Sequence, residues 1–293
     1  MNIMVNNVEK PKPQDVPIIA LLTDFGIQDS YVGVMKAVIW SICPTAQILD
    51  LTHHIPPQNV KRAAYVLMTA LDYLPPQTIV VVVVDPGVGS TRRPVAVKLR
   101  HCTLIAPDNG VLSYVTHQHP VQKIVQLQQY ILQDVSNTFH GRDIFSPAAA
   151  HLARGVSFDE LGPPVERLEQ LPMPSLQIHA DYIEGEVIDI DRFGNVITSI
   201  GRLTWNTDDL LVLEPRFLPP PVQKMRIQPE RCKVMIGEHT FNLSVTYSGV
   251  SIGQPLALIN SAGQLEVAVN NGNAAATFGF AVGDAVILKL NES

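Results

Sequence analysis

The chain has 293 residues, of which 46% are hydrophobic and 16% charged, and it carries a net charge of −6. That length suits one large domain or two ordinary ones, and the apolar content can fill a core, which excludes a disordered chain. With a pI near 5.8 and scattered Lys and Arg, there is no basic stripe, so nucleic acid is not an expected partner.

Residues 1–16 are polar, contain Pro11 and Pro13, and lack the apolar stretch of a signal peptide; a flexible leader is expected. Ile18 to Leu22 is an apolar run that ends in Thr23-Asp24-Phe25-Gly26 and reads as a buried strand followed by a polar turn. Tyr31 to Ile42 reads as a helix, Gln47 to Leu51 as a short strand, and Val60 to Leu74 as a helix stopped by Pro75-Pro76. Thr78 to Val84 is the clearest strand. Its isoleucine and five valines leave no polar face, so helices are expected on both sides of a mostly parallel sheet. The same run, Ile79 to Val84, is the longest apolar one and is too short to cross a bilayer, so no membrane association is expected. Val95 to Lys98 and Thr103 to Ala106 follow as strands, and Asp143 to Leu152 as a helix with Pro147 in its first turn and Asp143 or Ser146 as its cap.

Pro163, Pro164, Pro172 and Pro174 mark a linker. Short β patterns come after it: Tyr182 to Ile190, Asn195 to Ile200, Leu210 to Leu213, Cys232 to Ile236, Asn242 to Tyr247, Leu256 to Ile259 and Ala285 to Leu290. The predicted organisation is an α/β domain over 17–166 with a mostly parallel sheet, a linker over 167–180, and a smaller all-β barrel domain over 181–293. Cys43, Cys102 and Cys232 are odd in number and far apart, which fits neither a disulfide framework nor a zinc site; a cytoplasmic protein is the expectation.

Several loops combine residues that could carry chemistry. Asp24 follows the first strand, where α/β sheets place ligands; alone, it is as readily a helix cap as a group that holds ribose hydroxyls. Asp85-Pro86-Gly87-Val88-Gly89-Ser90-Thr91-Arg92 follows the valine-rich strand and could bring Asp85 and Arg92 face to face. It lacks the Gly-Lys-Ser/Thr ending of a P-loop. Asp108-Asn109-Gly110 reads first as a turn. His140 sits between Phe139 and Gly141 ahead of a helix. His53-His54 and His117-Gln118-His119 have no ligand spacing beside them and read as surface histidines. Asp191 to Asn195 and Asn260 to Glu266 read as hairpin turns, and Asn270 to Ala275 as a small polar stretch that can offer backbone amides to a ligand.

Taken in order, Thr23-Asp24-Phe25-Gly26, Asp85-Pro86-Gly87-Val88-Gly89, Arg92, Pro107-Asp108-Asn109-Gly110, Phe139-His140-Gly141-Arg142-Asp143, Phe193-Gly194-Asn195 and Asn260-Ser261 resemble the S-adenosyl-L-methionine hydroxide adenosyltransferase family, which is related to the fluorinases and chlorinases. The resemblance runs from about Ile18 to Leu290. It implies an N-terminal α/β domain, a C-terminal β-barrel, and a homotrimer whose active sites lie between subunits. It also implies hydrolysis of S-adenosylmethionine to adenosine and L-methionine, with no further cofactor. Asp85, Arg92 and His140 match the family's Asp, Arg and His set, Asp24 its ribose-holding acid, and Asp191, Phe193, Asn195 and Ser261 positions around the adenine and methionine portions. Halide-using relatives lack the Asp, Arg and His set and carry an extra loop that is not evident here. They stack a tryptophan on the substrate near Pro56 to Asn59, where this chain has no aromatic residue, and they carry arginines that are not matched here, with Ala262 and Val269 lying nearby. The alternatives are a halogenase and a non-catalytic binder of S-adenosylmethionine or adenosine. In the expected chemistry Asp85 and Arg92 orient and polarise a water, and His140 assists or relays the proton.

Overall fold

The computed structural model describes residues 16–207, 210–219 and 221–290. The leader expected over 1–16 therefore lies almost wholly outside the described residues. The chain divides into two compact units, with the boundary between Leu171 and Pro172.

The first unit contains β1 (Ile18–Thr23), α1 (Tyr31–Ile42), β2 (Gln47–Thr52), α2 (Val60–Leu71), β3 (Ile79–Val83), β4 (Pro94–Lys98), β5 (Thr103–Pro107), α3 (Ser113–Gln118), β6 (Lys123–Gln126) and α4 (Ser146–Ala153). The strands form one mixed sheet in the order β2-β1-β3-β5-β4-β6. β2, β1, β3 and β5 run parallel, while β4 runs antiparallel to its neighbours β5 and β6. Every residue of β3 is buried, and strand alternation divides its side chains between two layers. Ile19, Leu21, Val81 and Val83 pack with Met35 and Ile39 of α1 and Ala148 and Ala149 of α4. Ala20, Leu22, Val80 and Val82 face the other way and are fully buried as well; there α2 packs on β1, and α3 on α2. Each such aliphatic side chain contributes roughly 1.5–3 kcal/mol by leaving water.

The helix expected over Asp143 to Leu152 is broken in two. Gly141–Phe145 is a π-helical turn, and α4 begins only at Ser146, with Pro147 in its first turn. Neither expected cap acts as one: α4 has no side-chain cap, Asp143 Oδ2 instead accepts from the Ser136 amide at 2.8 Å, and Ser146 Oγ is buried without a partner. Two elements of this unit, α3 and β6, have no counterpart in the sequence reading.

The second unit contains β7 (Leu176–Ile178), β8 (Tyr182–Ile190), β9 (Val196–Gly201), β10 (Leu203–Thr207), β11 (Leu210–Leu213), β12 (Met225–Ile227), β13 (Lys233–Ile236), β14 (His239–Asn242), β15 (Pro255–Ile259), β16 (Gln264–Val269), α5 (Ala274–Phe278) and β17 (Ala285–Lys289). β7 lies in the stretch expected to be a linker. An antiparallel sheet runs β14-β13-β17-β8-β9-β16-β15, with β7 beside β8, and a parallel bridge between Leu243 and Ala257 nearly closes it into a barrel. β10, β11 and β12 form a separate three-stranded sheet.

Two expectations shift here. The strand expected over Asn242 to Tyr247 lies earlier, because Gly237-Glu238 makes a two-residue hairpin that pairs Ile236 with His239 and ends the pairing at Asn242. Gln264 and Glu266, read as part of a turn, are buried residues of β16.

Cys43, Cys102 and Cys232 are free and buried, and burial pushes the thiols of Cys102 and Cys232 up to about 11. Among the described residues, no helix is long and apolar enough to cross a membrane.

Candidate active site

A cavity of about 390 Å³ opens at the carboxyl ends of β1 and β3, where parallel sheets present ligand sites. Asp24, Asp85 and His140 all line it.

Each arrives by its own local device. Gly26 has φ +66°, so the Thr23-Asp24-Phe25-Gly26 loop turns sharply, and its amide donates to the His53 carbonyl at 2.7 Å. The Asp24 carboxylate then accepts from the Gln58 amide at 2.7 Å, across 34 residues. Asp85 begins a tight loop in which the Val88 amide donates to the Asp85 carbonyl and the Ser90 hydroxyl to the Gly87 carbonyl. Gly89 has φ +77°, and a Cβ there would lie 2.4 Å from the Asn137 carbonyl oxygen, so only glycine fits. The loop returns Arg92 to Asp85 as a two-pronged ion pair. Arg92 Nε donates to Asp85 Oδ1 at 2.8 Å, and Nη2 donates to Oδ2. The two side chains are only 9% and 5% exposed, so the pair is effectively desolvated.

Arg92 Nη2 also lies 2.6 Å from His140 Nδ1. Arginine only donates, so Nδ1 accepts, and the neutral ring carries its proton on Nε2. Burial and the Arg92 charge hold the His140 pKa below its ordinary 6.5, outweighing Asp85 and Asp143, which act in the other direction. Arg92 Nη1 is buried without a hydrogen-bond partner, and the guanidinium carbon stands 5.6 Å from the Phe145 ring centre.

The Pro56 to Asn59 segment contributes only Pro57 and Gln58 to the cavity, and aromatic rings enter it from other segments. Phe25, Tyr31 and Phe139 line it and pack edge to face or tilted, with ring centres 5.2–5.8 Å apart. Phe25 and Phe139 stand within the motifs, but nothing short-range marks Tyr31 as their partner. Asp108-Asn109-Gly110 is structural: Asp108 is buried and binds Arg93 and the Glu169 amide, while Asn109 donates to the Val84 carbonyl and so fixes the end of β3. His53, expected on the surface, is buried: Thr23 Oγ1 lies 2.9 Å from its Nδ1, and Asp50 Oδ1 stands 3.0 Å from Nε2 without the alignment of a hydrogen bond. Among the described residues no group of three or more His, Cys, Asp or Glu is placed to hold a metal ion.

The remaining candidates lie in the second unit. Asp191, Phe193 and Asn195 form the turn between β8 and β9. Asp191 Oδ1 accepts from the amides of Phe193 and Asn195 at 2.8 and 2.9 Å, and Oδ2 accepts from Asn195 Nδ2 at 3.0 Å. Gly194 has φ +82°, and a Cβ there would collide with the Asn273 side chain at 2.1 Å. Asn273 caps α5 by accepting from the Ala276 amide, which is what the small polar stretch after Asn270 does structurally. Phe193 is 73% exposed, and Ser261 sits exposed on the turn between β15 and β16.

Residues 19–162 match the N-terminal domain of the SAM hydroxide adenosyltransferase family, and residues 185–287 match its C-terminal domain. The chain belongs to that family. It is 38% identical over 273 residues to the (R)-S-adenosyl-L-methionine hydrolase of Thermus thermophilus, an alignment that covers 89% of this chain and 95% of the relative. A fluorinase from an Actinoplanes species is 28% identical, with 87% and 91% covered. A crystal structure described as an uncharacterized conserved protein from Thermotoga maritima superposes with a TM-score of 0.80 at 36% identity, covering 92% of this chain and 99% of that one.

Proposed function

We propose that this protein hydrolyses S-adenosyl-L-methionine to adenosine and L-methionine. The observation that carries the reading is the Asp85–Arg92–His140 chain of hydrogen bonds at the wall of a cavity that also holds Asp24, in a member of the SAM hydroxide adenosyltransferase family.

In this reading a water oxygen attacks the ribose C5′. The C5′–S bond breaks, its electron pair stays on sulfur, and the sulfonium becomes the neutral thioether of methionine. The leaving group needs no proton, so the site has to place one water in line and accept one proton. Holding the partners in register can lower such a barrier by roughly 7–11 kcal/mol, and proton removal by a side chain adds about 10²–10⁴-fold. The tautomer divides the work. His140 turns an Nε2–H donor outward and holds the water oxygen, while the Asp85 carboxylate, clamped by Arg92, accepts the proton. Asp24 holds the ribose hydroxyls. Asp191, Phe193, Asn195 and Ser261 bind the adenine and methionine portions. The faces of Phe25, Tyr31 and Phe139 supply the aromatic and cation-attracting surface that the Pro56 to Asn59 segment lacks. Cytoplasmic residence rests on the cysteine pattern and a homotrimer on the resemblance; light scattering in solution tests the assembly.

Incubation with S-adenosylmethionine in chloride- and fluoride-containing buffers, followed by chromatography, is the test. Adenosine and methionine are expected. A 5′-halo-5′-deoxyadenosine would make the protein a halogenase, and binding without turnover would make it a sensor.

A further inference from the structure

The second unit contains a buried carboxylate that the chemistry above does not use. Glu266 lies on β16, is 2% exposed, and takes hydrogen bonds from two loops. Tyr247 Oη donates to Oε1 at 2.7 Å, and Asn260 Nδ2 donates to Oε2 at 3.2 Å. The other end of the Asn260 side chain is equally committed: Oδ1 accepts from the amides of Ala262 and Gln264, both at 3.0 Å. Glu266 and these two amides together fix which way the Asn260 amide faces, and Asn260 fixes the turn that presents Ser261. Through Tyr247 it also anchors the loop after β14.

A buried carboxylate is costly unless hydrogen-bonded, and Glu266 takes one donor on each oxygen. Burial pushes the Glu266 pKa up, and so does the nearby Asp191 charge, while the Tyr247 and Asn260 bonds oppose them. Two donors aimed at one carboxylate match the ionised form. β16 pairs with β9, Glu266 opposite Ile197, which places this network beside the Asp191–Asn195 turn that leads into β9.

We propose that Glu266 is a positioning residue for substrate binding, setting the Ser261 turn and the Tyr247 loop through Asn260 and the tyrosine hydroxyl. The proposal rests on the hydrolase reading, in which Ser261 and the Asp191 turn contact substrate. Glu266 touches none of the reacting atoms, so it governs KM and leaves kcat nearly alone.

The donor and acceptor pattern supplies a test that a merely structural role would not pass. Glu266→Gln can keep both contacts only by turning its amide N–H toward Tyr247, whose hydroxyl then accepts instead of donating, while its oxygen still accepts from Asn260. Asn260→Asp sets a second carboxylate against Glu266. The double variant restores the pattern with the polarity reversed: the introduced amide accepts from Tyr247 and donates to the introduced carboxylate, and the pair keeps its total charge. Asn260→Asp should raise KM for S-adenosylmethionine about 10-fold with kcat within about 3-fold, Glu266→Gln alone should change KM by less than about 3-fold, and the double should return KM to within about 3-fold of wild type. Amide hydrogen exchange should quicken over 260–264 in Asn260→Asp and recover in the double. Asn260→Asp indistinguishable from wild type, or a double no better than Asn260→Asp alone, overturns the proposal. Wild-type turnover is measured first. If it is absent, the hydrolase reading fails by itself, and the same cycle is read as calorimetric affinity for S-adenosylmethionine; absence of binding as well overturns the positioning role.

Discussion

The two units hold their polar candidates by opposite means. In the first, Asp85, Arg92 and His140 satisfy one another, side chain to side chain, across 7 and 48 residues of sequence. In the second, the Asp191 carboxylate binds amides only two and four residues ahead of it. One cluster is a tertiary object, desolvated and braced by a loop that only glycine can close at position 89. The other is a local turn that presents Phe193 to solvent, as the turn after β15 presents Ser261. The Asp85–Arg92 pair is thus desolvated and neutralised from within, while the Asp191 turn is set by short-range backbone bonds and leaves Phe193 open.

The contrast is broken most severely at Asp85. Asp85→Ala should lower kcat by about 10²–10⁴-fold and cost about 3–5 kcal/mol of stability, because Arg92 is left charged and buried. Initial rates and urea unfolding measure the two separately. Replacing Asp85 and Arg92 together by Leu and Met should recover much of the stability and none of the rate; recovery of rate would remove the pair from the chemistry. Asp24→Ala comes next, with KM rising by about 10–100-fold as a charge-assisted contact to ribose is lost and kcat largely kept. In the second unit, Gly194→Ala should cost about 1–3 kcal/mol, seen as a lower unfolding midpoint together with a raised KM, since a side chain at that φ meets Asn273.

The smallest effect is a pH dependence. His140 is held neutral, so an acid limb in kcat/KM should have its midpoint below 6.5, where protonation turns Nδ1 into a donor facing the Arg92 donor. The sign for stability agrees. As pH falls through 6.5 the unfolded chain takes up a proton that the folded site still refuses, so stability declines with falling pH until the lower folded-state value is passed. A midpoint at or above 6.5 would contradict the tautomer assignment.

What could be read from the sequence divides along the same line. The valine-rich run specified β3, and α1 shows its buried residues Val32, Met35 and Ile39 at helical spacing, because burial on an extended element repeats at short range. α3 and β6 are six and four residues long, too short for a period to emerge. β16 was hidden because its buried Gln264 and Glu266 have the composition of a turn; only partners contributed by other loops make them interior residues. The Asp85–Arg92 pairing was foreseeable from a loop with two glycines. The meeting of Phe25, Tyr31 and Phe139 was not, since it depends on how α1 and the π-helical turn pack. Function became legible through the order of several weak motifs, each of which alone read as a turn or a cap.

The three cysteines give this protein an experimental convenience. All are buried, and those at 102 and 232 have thiols pushed up to about 11, so they hold almost no thiolate near neutral pH and react slowly with alkylating dyes. A cysteine introduced at the exposed Phe193 or Ser261 positions would then be the thiol a maleimide finds first, with the native ones left in place. A fluorophore attached there would report local changes at the exposed turns of the second unit while Asp85, Arg92 and His140 stay unmodified.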